Sequence, residues 1–310
     1  MSEKKVSEKK VAPVVVKKQS SFDDMRSEFC FKNGEIYLNN ASLAPLPMSV
    51  KKAMSEHLEA MYNEVAMIEK ETPAIIARVR ECVAQYIHSE ADNIAFVGST
   101  SAAMNLLALR LKRLDKARND VVTLQDEFPS STIPFKRLGY KLNFVRPEND
   151  NHYDIAQILR KVDKEKTAAV VVSLVQYRTG ARLDEVAALA EELKVQGVPL
   201  FVNATQAAGL LPIDVSKIGA SALTFASHKW LMAGPGGTVL YVAPGMRGEG
   251  FPPLAGWLSA RNPEEYNNHH FFPAKEARAV ELGVTSILPL IALEAAIKFL
   301  GRFNAQIVRD

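Results

Sequence analysis

The chain has 310 residues, of which 47% are hydrophobic, and a formal net charge of +3. That length and composition allow a large buried core, in one large domain or in a large domain with a smaller one. The first twenty residues hold six lysines and two glutamates and so carry +4, which leaves −1 for the rest. The basic balance therefore belongs to the N-terminal tail and does not indicate a nucleic-acid-binding face.

The tail, residues 1–20, reads MSEKKVSEKKVAPVVVKKQS, has no apolar stripe, and predicts a disordered basic leader. It lacks the pattern of a secretory or mitochondrial signal, and no apolar run in the chain approaches membrane-spanning length. Cys30 and Cys82 give neither a disulfide framework nor zinc spacing, which is typical of a reducing compartment. We expect a cytoplasmic protein without a membrane or nucleic-acid partner.

Three regions follow the leader. Residues 21–75 predict a mainly helical N-terminal arm, interrupted by the turn-rich segment YLNNASLAPLP at 37–47. Residues 76–275 alternate short, nearly continuous apolar strands with amphipathic stretches, which predicts an α/β domain with a mostly parallel sheet covered by helices on both faces. Residues 276–310 predict a loop and a long apolar-striped helix that runs to the last residue.

Ligands of such sheets bind beyond the carboxyl ends of the strands. This rule selects a set of residues that should form one surface, namely Gly98–Ser101, Phe128, Tyr177, Asn203–Gln206 and His228–Lys229. The segment FVGSTSAAMNLL predicts a strand, a turn of hydroxyl residues and a helix N-terminus. That arrangement suits a phosphate, although Ser99 or Thr100 could instead be an ordinary N-cap.

The other strand-end residues each have two interpretations. Asn203 and Gln206 could hydrogen-bond a heteroaromatic ligand or form a turn, and Phe128 could stack on a ring or belong to the core. The sequence has no nucleotide-binding glycine motif and no metal-ligand cluster, since the adjacent His269 and His270 have poor spacing for one metal.

Lys229, in the stretch FASHKWLMAGPGG, is the candidate nucleophile among these residues. A lysine near apolar and aromatic neighbours loses some preference for its charged form, and a free amine forms a Schiff base with an aldehyde. The alternative is an ordinary surface lysine. A phosphate cradle, a stacking ring, two amides and this amine together describe a pyridoxal phosphate site.

Six segments occur in the order found in class V aminotransferase-fold enzymes, the family of cysteine desulfurases, kynureninases and isopenicillin N epimerase-like enzymes. They are YLNNASLAPLP, GSTSAAMN, DEFPS, VNATQAAGLLPIDV, SHKWLMAGPGG and ELGVTS. The chain resembles this family from about Tyr37 to Leu300. The resemblance implies a homodimeric pyridoxal phosphate-dependent transferase of fold type I that acts on an amino acid by transamination, lyase or epimerase chemistry.

The resemblance also implies roles for individual residues. Lys229 would bind the cofactor covalently, Thr100 and Ser101 would contact its phosphate, and Phe128 would cover its ring. Gln206 would meet the ring hydroxyl, and His228 would lie beside the phosphate or the substrate. Phenylalanine at position 128, where desulfurases usually have histidine, favours the kynureninase-like and epimerase-like branch.

The chain departs from the family pattern at several points. Asn203 stands where the family has an aspartate facing the pyridine nitrogen. Ser227 lies one place nearer the lysine than the usual serine, and Thr285 lies one step late in the loop that reaches the partner subunit's phosphate.

We expect the family's C-terminal small domain, which supplies an arginine for the substrate carboxylate, to be truncated after residue 310. Arg178 or Arg182 could replace that arginine, or both could simply face solvent. The departures leave an alternative open, a catalytically impaired or inactive member of the fold with a structural or interaction role.

Overall fold

The computed structural model describes residues 21–31, 34–148 and 151–303, so the predicted leader 1–20 and the predicted helical end 304–310 lie outside the described residues. The helices, in chain order, are α1 (Phe22–Ser27), α2 (Met48–Asn63), α3 (Val65–Tyr86), α4 (Thr100–Leu114), α5 (Ile133–Arg137), α6 (Ile155–Arg160), α7 (Val186–Val195), α8 (Val215–Ile218) and α9 (Ile287–Leu300). The strands are β1 (Ile94–Val97), β2 (Asp120–Leu124), β3 (Lys141–Val145), β4 (Thr167–Ser173), β5 (Leu200–Asn203), β6 (Ala222–Phe225) and β7 (Thr238–Val242).

Within the described residues the strands form one seven-stranded sheet in the order β1-β7-β6-β5-β4-β2-β3. Strand β7 is antiparallel to both of its neighbours, and every other pairing is parallel. Because β1 and β6 both oppose β7, they point the same way, and six strands share one carboxyl edge. The prediction of a mostly parallel sheet is confirmed.

Helices cover both faces of the sheet, as the apolar strands require. Every residue of β4 is buried. Its alternate side chains enter different cores, with Val170 and Val172 in one and Ala169 and Val171 in the other. The first core includes residues of α3, α7 and α9, whereas the second includes residues of α4 and Phe135 of α5. A strand buried on both faces has no polar face, which explains its continuous apolar sequence.

The last helix is shorter than predicted. α9 packs against α2 and α3 and ends at Leu300, so the expectation that it continues is wrong for residues 301–303. Gly301 is a poor helix former, and the N–H groups of Arg302 and Phe303 bond to carbonyls three residues earlier, which tightens the final turn. None of the described helices is long and apolar enough to cross a membrane.

A buried ion pair joins α3 to the segment before α9. Arg80 Nη1 lies 2.7 Å from Glu281 Oε1, and their side chains are only 11% and 8% exposed. The guanidinium also donates to the Ile94 carbonyl at 2.6 Å, and the carboxylate accepts the Phe96 N–H at 2.9 Å. The pair therefore ties β1, an edge strand, to elements distant in sequence.

We expect Arg80→Met to lower the free energy of unfolding by about 3–5 kcal/mol, because it leaves the Glu281 carboxylate buried without its partner. Urea unfolding followed by circular dichroism measures the effect. Lys52→Met is the matched control, since Lys52 pairs with Glu56 at a site where both side chains are more than 60% exposed, and it should change stability by at most about 1 kcal/mol. Equal effects of the two substitutions would contradict this account.

Candidate functional site

A cavity of about 620 Å³ lies at the carboxyl edge of the sheet. The residues predicted to share one surface line it, among them Gly98–Ser101, Phe128, Tyr177, Asn203, Gln206, His228 and Lys229. The prediction that these strand ends meet is confirmed. These residues meet because the strands before them point the same way, and loops after parallel strands emerge on the same side of a sheet.

The loop that carries Lys229 follows β6 and is held by internal hydrogen bonds. Ser227 is fully buried and donates its hydroxyl to the Gly234 carbonyl at 2.7 Å, so it closes the loop. The His228 carbonyl accepts the Ala44 N–H of the N-terminal arm at 2.9 Å. These contacts fix the backbone on either side of Lys229 and direct its side chain into the cavity, whose wall it lines.

The Lys229 amine lies beside aromatic side chains. Its Nζ is 5.3 Å from the centroid of the Phe128 ring, which packs edge-on against Tyr177 at 5.2 Å. Burial lowers the pKa of Lys229. Burial, together with the nearby charge of Lys229, also lowers the pKa of His228. The cavity therefore favours neutral forms of both bases, and a neutral lysine is a nucleophile toward an aldehyde.

The N-terminus of α4 opens into the same cavity. Ser99 is the N-cap and accepts the Ala102 N–H at 3.1 Å. The first N–H groups of a helix have no intrahelical acceptor, and they carry the positive end of the helix dipole. Thr100 is buried and Ser101 exposed, so two hydroxyl side chains adjoin these donors. The donor set suits an anion such as a phosphate.

The two predicted amides lie at the end of β5 and in the turn after it. Asn203 Nδ2 donates to Ser131 Oγ at 3.0 Å, and Asn203 Oδ1 accepts the Thr205 N–H at 3.0 Å. Gln206 Nε2 donates to the Ala41 carbonyl at 3.0 Å, and Gln206 Oε1 accepts from Trp230 Nε1 at 2.7 Å. Both amides are therefore fixed in orientation while they line the cavity.

Some cavity residues were not selected from the sequence. Asn39, Ala41 and Ser42, in the turn-rich part of the arm, form part of the wall. Thr205, which lies inside the predicted range Asn203–Gln206, lines it as well, with its hydroxyl 3.4 Å from that of Thr100 and accepting the Ala226 N–H at 3.3 Å. The motif YLNNASLAPLP was the sequence signal that could have placed the arm residues in the site. No local sequence pattern indicates that Thr205 bridges two loops.

Other predicted residues lie outside the cavity wall. The Ser227 hydroxyl is used within its own loop, and Thr285 lies in the loop before α9. Arg178 and Arg182 line a neighbouring cavity of about 470 Å³, which shares Gln206 and Tyr177 with the first. Arg182 forms an ion pair with Asp184 at 2.6 Å, so its guanidinium is already engaged.

The chain is similar to known proteins over most of its length. The family model "Aminotransferase class-V" matches residues 36–310. The chain belongs to the class V aminotransferase family. Enzymes of this family depend on pyridoxal phosphate and act on amino acids. The resemblance expected from the six segments is thereby confirmed.

Individual relatives support the assignment. A probable cysteine desulfurase from Pyrococcus abyssi is 29% identical over 91% of this chain and 71% of its own length. A kynureninase from Deinococcus radiodurans is 26% identical over 92% of this chain and 70% of its own length. The apo structure of a cysteine desulfurase from Thermococcus onnurineus NA1 matches with a TM-score of 0.79 and 26% identity, covering 92% of this chain and 72% of that one. The expected fold type I of pyridoxal phosphate-dependent enzymes is confirmed.

The residues present fit the family's cofactor. An anion site, an aromatic ring, two oriented amides and a half-buried amine line one cavity, and they correspond to the phosphate, ring face, ring heteroatoms and aldehyde of pyridoxal phosphate. The cavity volume falls in the range of small-molecule sites. Among the described residues, no group of three or more histidine, cysteine, aspartate or glutamate side chains could hold a metal ion.

The lowered pKa of Lys229 predicts a pH-dependent stability of the cofactor-free protein. Between the lowered folded value and the unfolded value of about 10.4, the unfolded chain binds more protons, so the free energy of unfolding rises with pH. The Lys229→Met variant lacks this contribution. We expect it to be more stable than the parent at pH 7, with a difference that shrinks as the pH approaches 10.

Urea unfolding at several pH values measures that difference. Lys141→Met is the control, since the Lys141 side chain is 72% exposed and should give a difference that varies little across the range. A parent-minus-variant difference for Lys229 that stays constant from pH 7 to 10 would refute the interpretation.

Proposed function

We propose that the protein is a pyridoxal phosphate-dependent enzyme that binds its cofactor covalently through Lys229 and acts on an amino acid by transamination, lyase or epimerase chemistry. The observation that carries the proposal is the position of the Lys229 amine, 5.3 Å from the Phe128 ring in a cavity that also contains the α4 N-terminus. A cytoplasmic location agrees with the cysteine usage and with the activity proposed.

Each cavity residue has a proposed part in binding. The first turn of α4, with Thr100 and Ser101, would hold the phosphate through N–H and hydroxyl donors. Phe128 would stack on the ring, Gln206 would donate to the ring oxygen, and Asn203 would meet the ring nitrogen. When bound, the cofactor supplies a ring that withdraws electrons from a bond to the substrate's α-carbon.

Lys229 and His228 would act as bases toward a bound substrate. Burial keeps the lysine amine neutral more readily than in water, so it can accept a proton from the α-carbon of the substrate and return one. His228, whose pKa burial also lowers, is available at neutral pH as a hydrogen-bond acceptor near the substrate. The Phe128 and Tyr177 rings, which pack edge-on at 5.2 Å, form an aromatic part of the wall beside these bases.

Covalent trapping tests the role of Lys229. After incubation with pyridoxal phosphate and reduction with borohydride, we expect mass analysis of peptides to find the pyridoxyl group on Lys229, in close to one copy per chain. Lys229→Arg keeps a positive charge and should lose the adduct entirely. An adduct on another lysine, or none at saturating cofactor, would overturn the assignment, and turnover of a panel of amino acids then identifies the reaction.

We also propose that the working unit is a homodimer. An apolar patch surrounds the loop before α9: Val284 is 84% exposed, and Leu282, Trp257 and the Tyr266 ring stacked on it are exposed as well. Patches of this kind mark interaction sites. A second subunit on this patch would bring Thr285 of the same loop to the other chain's phosphate, the role that the family resemblance implies.

Substitution within the patch tests the dimer. Val284→Asp should raise the dimer dissociation constant about tenfold or more, because a charge enters an apolar contact, and multi-angle light scattering should show monomers at micromolar concentration. Val195→Asp is the matched control, since Val195 is 86% exposed at the end of α7, far from this loop in sequence. A parent that is monomeric yet binds the cofactor tightly would contradict the proposal.

A further inference from the structure

The orientation of the Asn203 amide is determined by its neighbours. Its Oδ1 faces the Thr205 backbone N–H at 3.0 Å, and a backbone nitrogen can only donate. Turning the amide over would set its NH₂ group against that N–H and leave both without an acceptor. The oxygen end therefore faces the Thr205 N–H, and the nitrogen end faces Ser131.

A chain of hydrogen bonds starts at the nitrogen end of Asn203, and in each bond the residue nearer Asn203 is the donor. Asn203 Nδ2 donates to Ser131 Oγ at 3.0 Å, and Ser131 is fully buried. The next group is the buried carboxyl of Glu127, whose Oε2 accepts the Ser173 hydroxyl at 2.6 Å. Burial raises the pKa of Glu127, and hydrogen bonds from Ser173 and Ser131 oppose the rise. Donors thus run from Asn203 to Ser131 to Glu127, and neither Ser131 nor Glu127 lines the cavity.

The cavity side of Asn203 consequently offers a donor. An amide nitrogen carries two hydrogens, and the bond to Ser131 uses one. Gln206 has the same polarity, because Trp230 Nε1 donates to its oxygen and its Nε2 donates to the Ala41 carbonyl with one hydrogen. Each amide therefore has one N–H hydrogen free to donate to an unprotonated ring nitrogen, while each oxygen already accepts one hydrogen bond from the protein.

The cavity also disfavours a positive charge. Its two basic side chains, Lys229 and His228, both have pKa values lowered mainly by burial. A pyridinium would be subject to the same penalty, and Asn203 carries no charge to offset it. Glu127, the carboxyl in this network, is separated from Asn203 by Ser131 and has a pKa raised by burial.

From this geometry, and resting on the proposed function, we infer that the site binds pyridoxal phosphate with its ring nitrogen unprotonated, as the acceptor of an N–H donated by Asn203. Asn203 is then a cofactor-binding residue, and Ser131 and Thr205 are the residues that position it. A ring nitrogen without a proton withdraws fewer electrons from the bonds of the substrate's α-carbon. We expect slow exchange of the α-proton relative to an enzyme in which a carboxylate meets the nitrogen.

The protonation state can be read directly from the bound cofactor. The protein is loaded with pyridoxal phosphate carrying ¹⁵N in the ring, and the nitrogen chemical shift is compared with those of protonated and unprotonated reference compounds. We expect the parent to give the shift of an unprotonated, hydrogen-bonded nitrogen at pH 7. Asn203→Asp should move the shift toward the protonated value, because a carboxylate stabilises the pyridinium.

A second measurement uses binding alone. In a 1-deaza analogue of pyridoxal phosphate a C–H replaces the ring nitrogen, and the parent should bind it about fivefold to tenfold more weakly than the cofactor. In Asn203→Ala the two ligands should bind within about twofold of each other, since the donor is gone. Equal binding of both ligands by the parent would overturn the inference.

The outcomes separate the inference from the proposed function. A pyridoxyl adduct on Lys229 together with the ¹⁵N shift of a protonated ring would overturn the inference alone. Failure to trap any cofactor on Lys229 would overturn the proposed function and the inference with it. A parent with an unprotonated ring and an Asn203→Asp variant with a protonated one would support both.

Discussion

The shared direction of six strands is the constraint on which the rest of this structure depends. Strands that point the same way deliver their following loops to one edge, and the chain places its phosphate-type cradle, its amides and its lysine in three of those loops. The reversed strand β7 preserves this arrangement. Because β1 and β6 both oppose β7, the α4 N-terminus and the Lys229 loop still emerge on the same side.

Tight packing then converts a collection of loops into a site with fixed geometry. Gly209 has a φ of +102°, and a Cβ at this position would lie only 2.3 Å from the Trp230 carbonyl oxygen. Only glycine allows the turn after β5 to approach the Lys229 loop so closely. Its N–H also donates to the Tyr86 hydroxyl at 2.9 Å, so the turn is anchored to α3. The Lys229 backbone is thus held from the arm, from the turn and from within its own loop.

Much of this arrangement could be predicted from the sequence because the signals were local. Apolar strands, alternating helices and the strand-end rule were enough to bring Lys229, Asn203 and the start of α4 together, and the family resemblance followed from short motifs. The sequence prediction extended α9 beyond Leu300, because an apolar stripe indicates which face of a helix is buried but does not indicate the residue at which the helix ends. Gly301 was the available signal for that end.

Other features could not be predicted because they depend on contacts between distant residues. The Ser227 hydroxyl could have faced a ligand, and only the fold shows it closing its own loop onto Gly234. The Glu127, Ser131 and Asn203 network joins segments more than seventy residues apart, and of these three residues only Asn203 was selected from the sequence. Polar networks of this kind are set by the tertiary structure, while local patterning sets the elements.

The position of β1 has a consequence for how the molecule is held together. β1 lies at the edge of the sheet and pairs with β7, which joins Ile94 to Tyr241 across a long stretch of chain. Such a closure costs conformational entropy, which the contacts of β1 with the rest of the sheet must offset. A ligand that contacts both the α4 N-terminus, after β1, and the Lys229 loop, before β7, spans the β1–β7 pairing. It binds only when these two strands are paired. A bound cofactor would therefore hold this edge strand against the sheet and raise the free energy of unfolding by mass action.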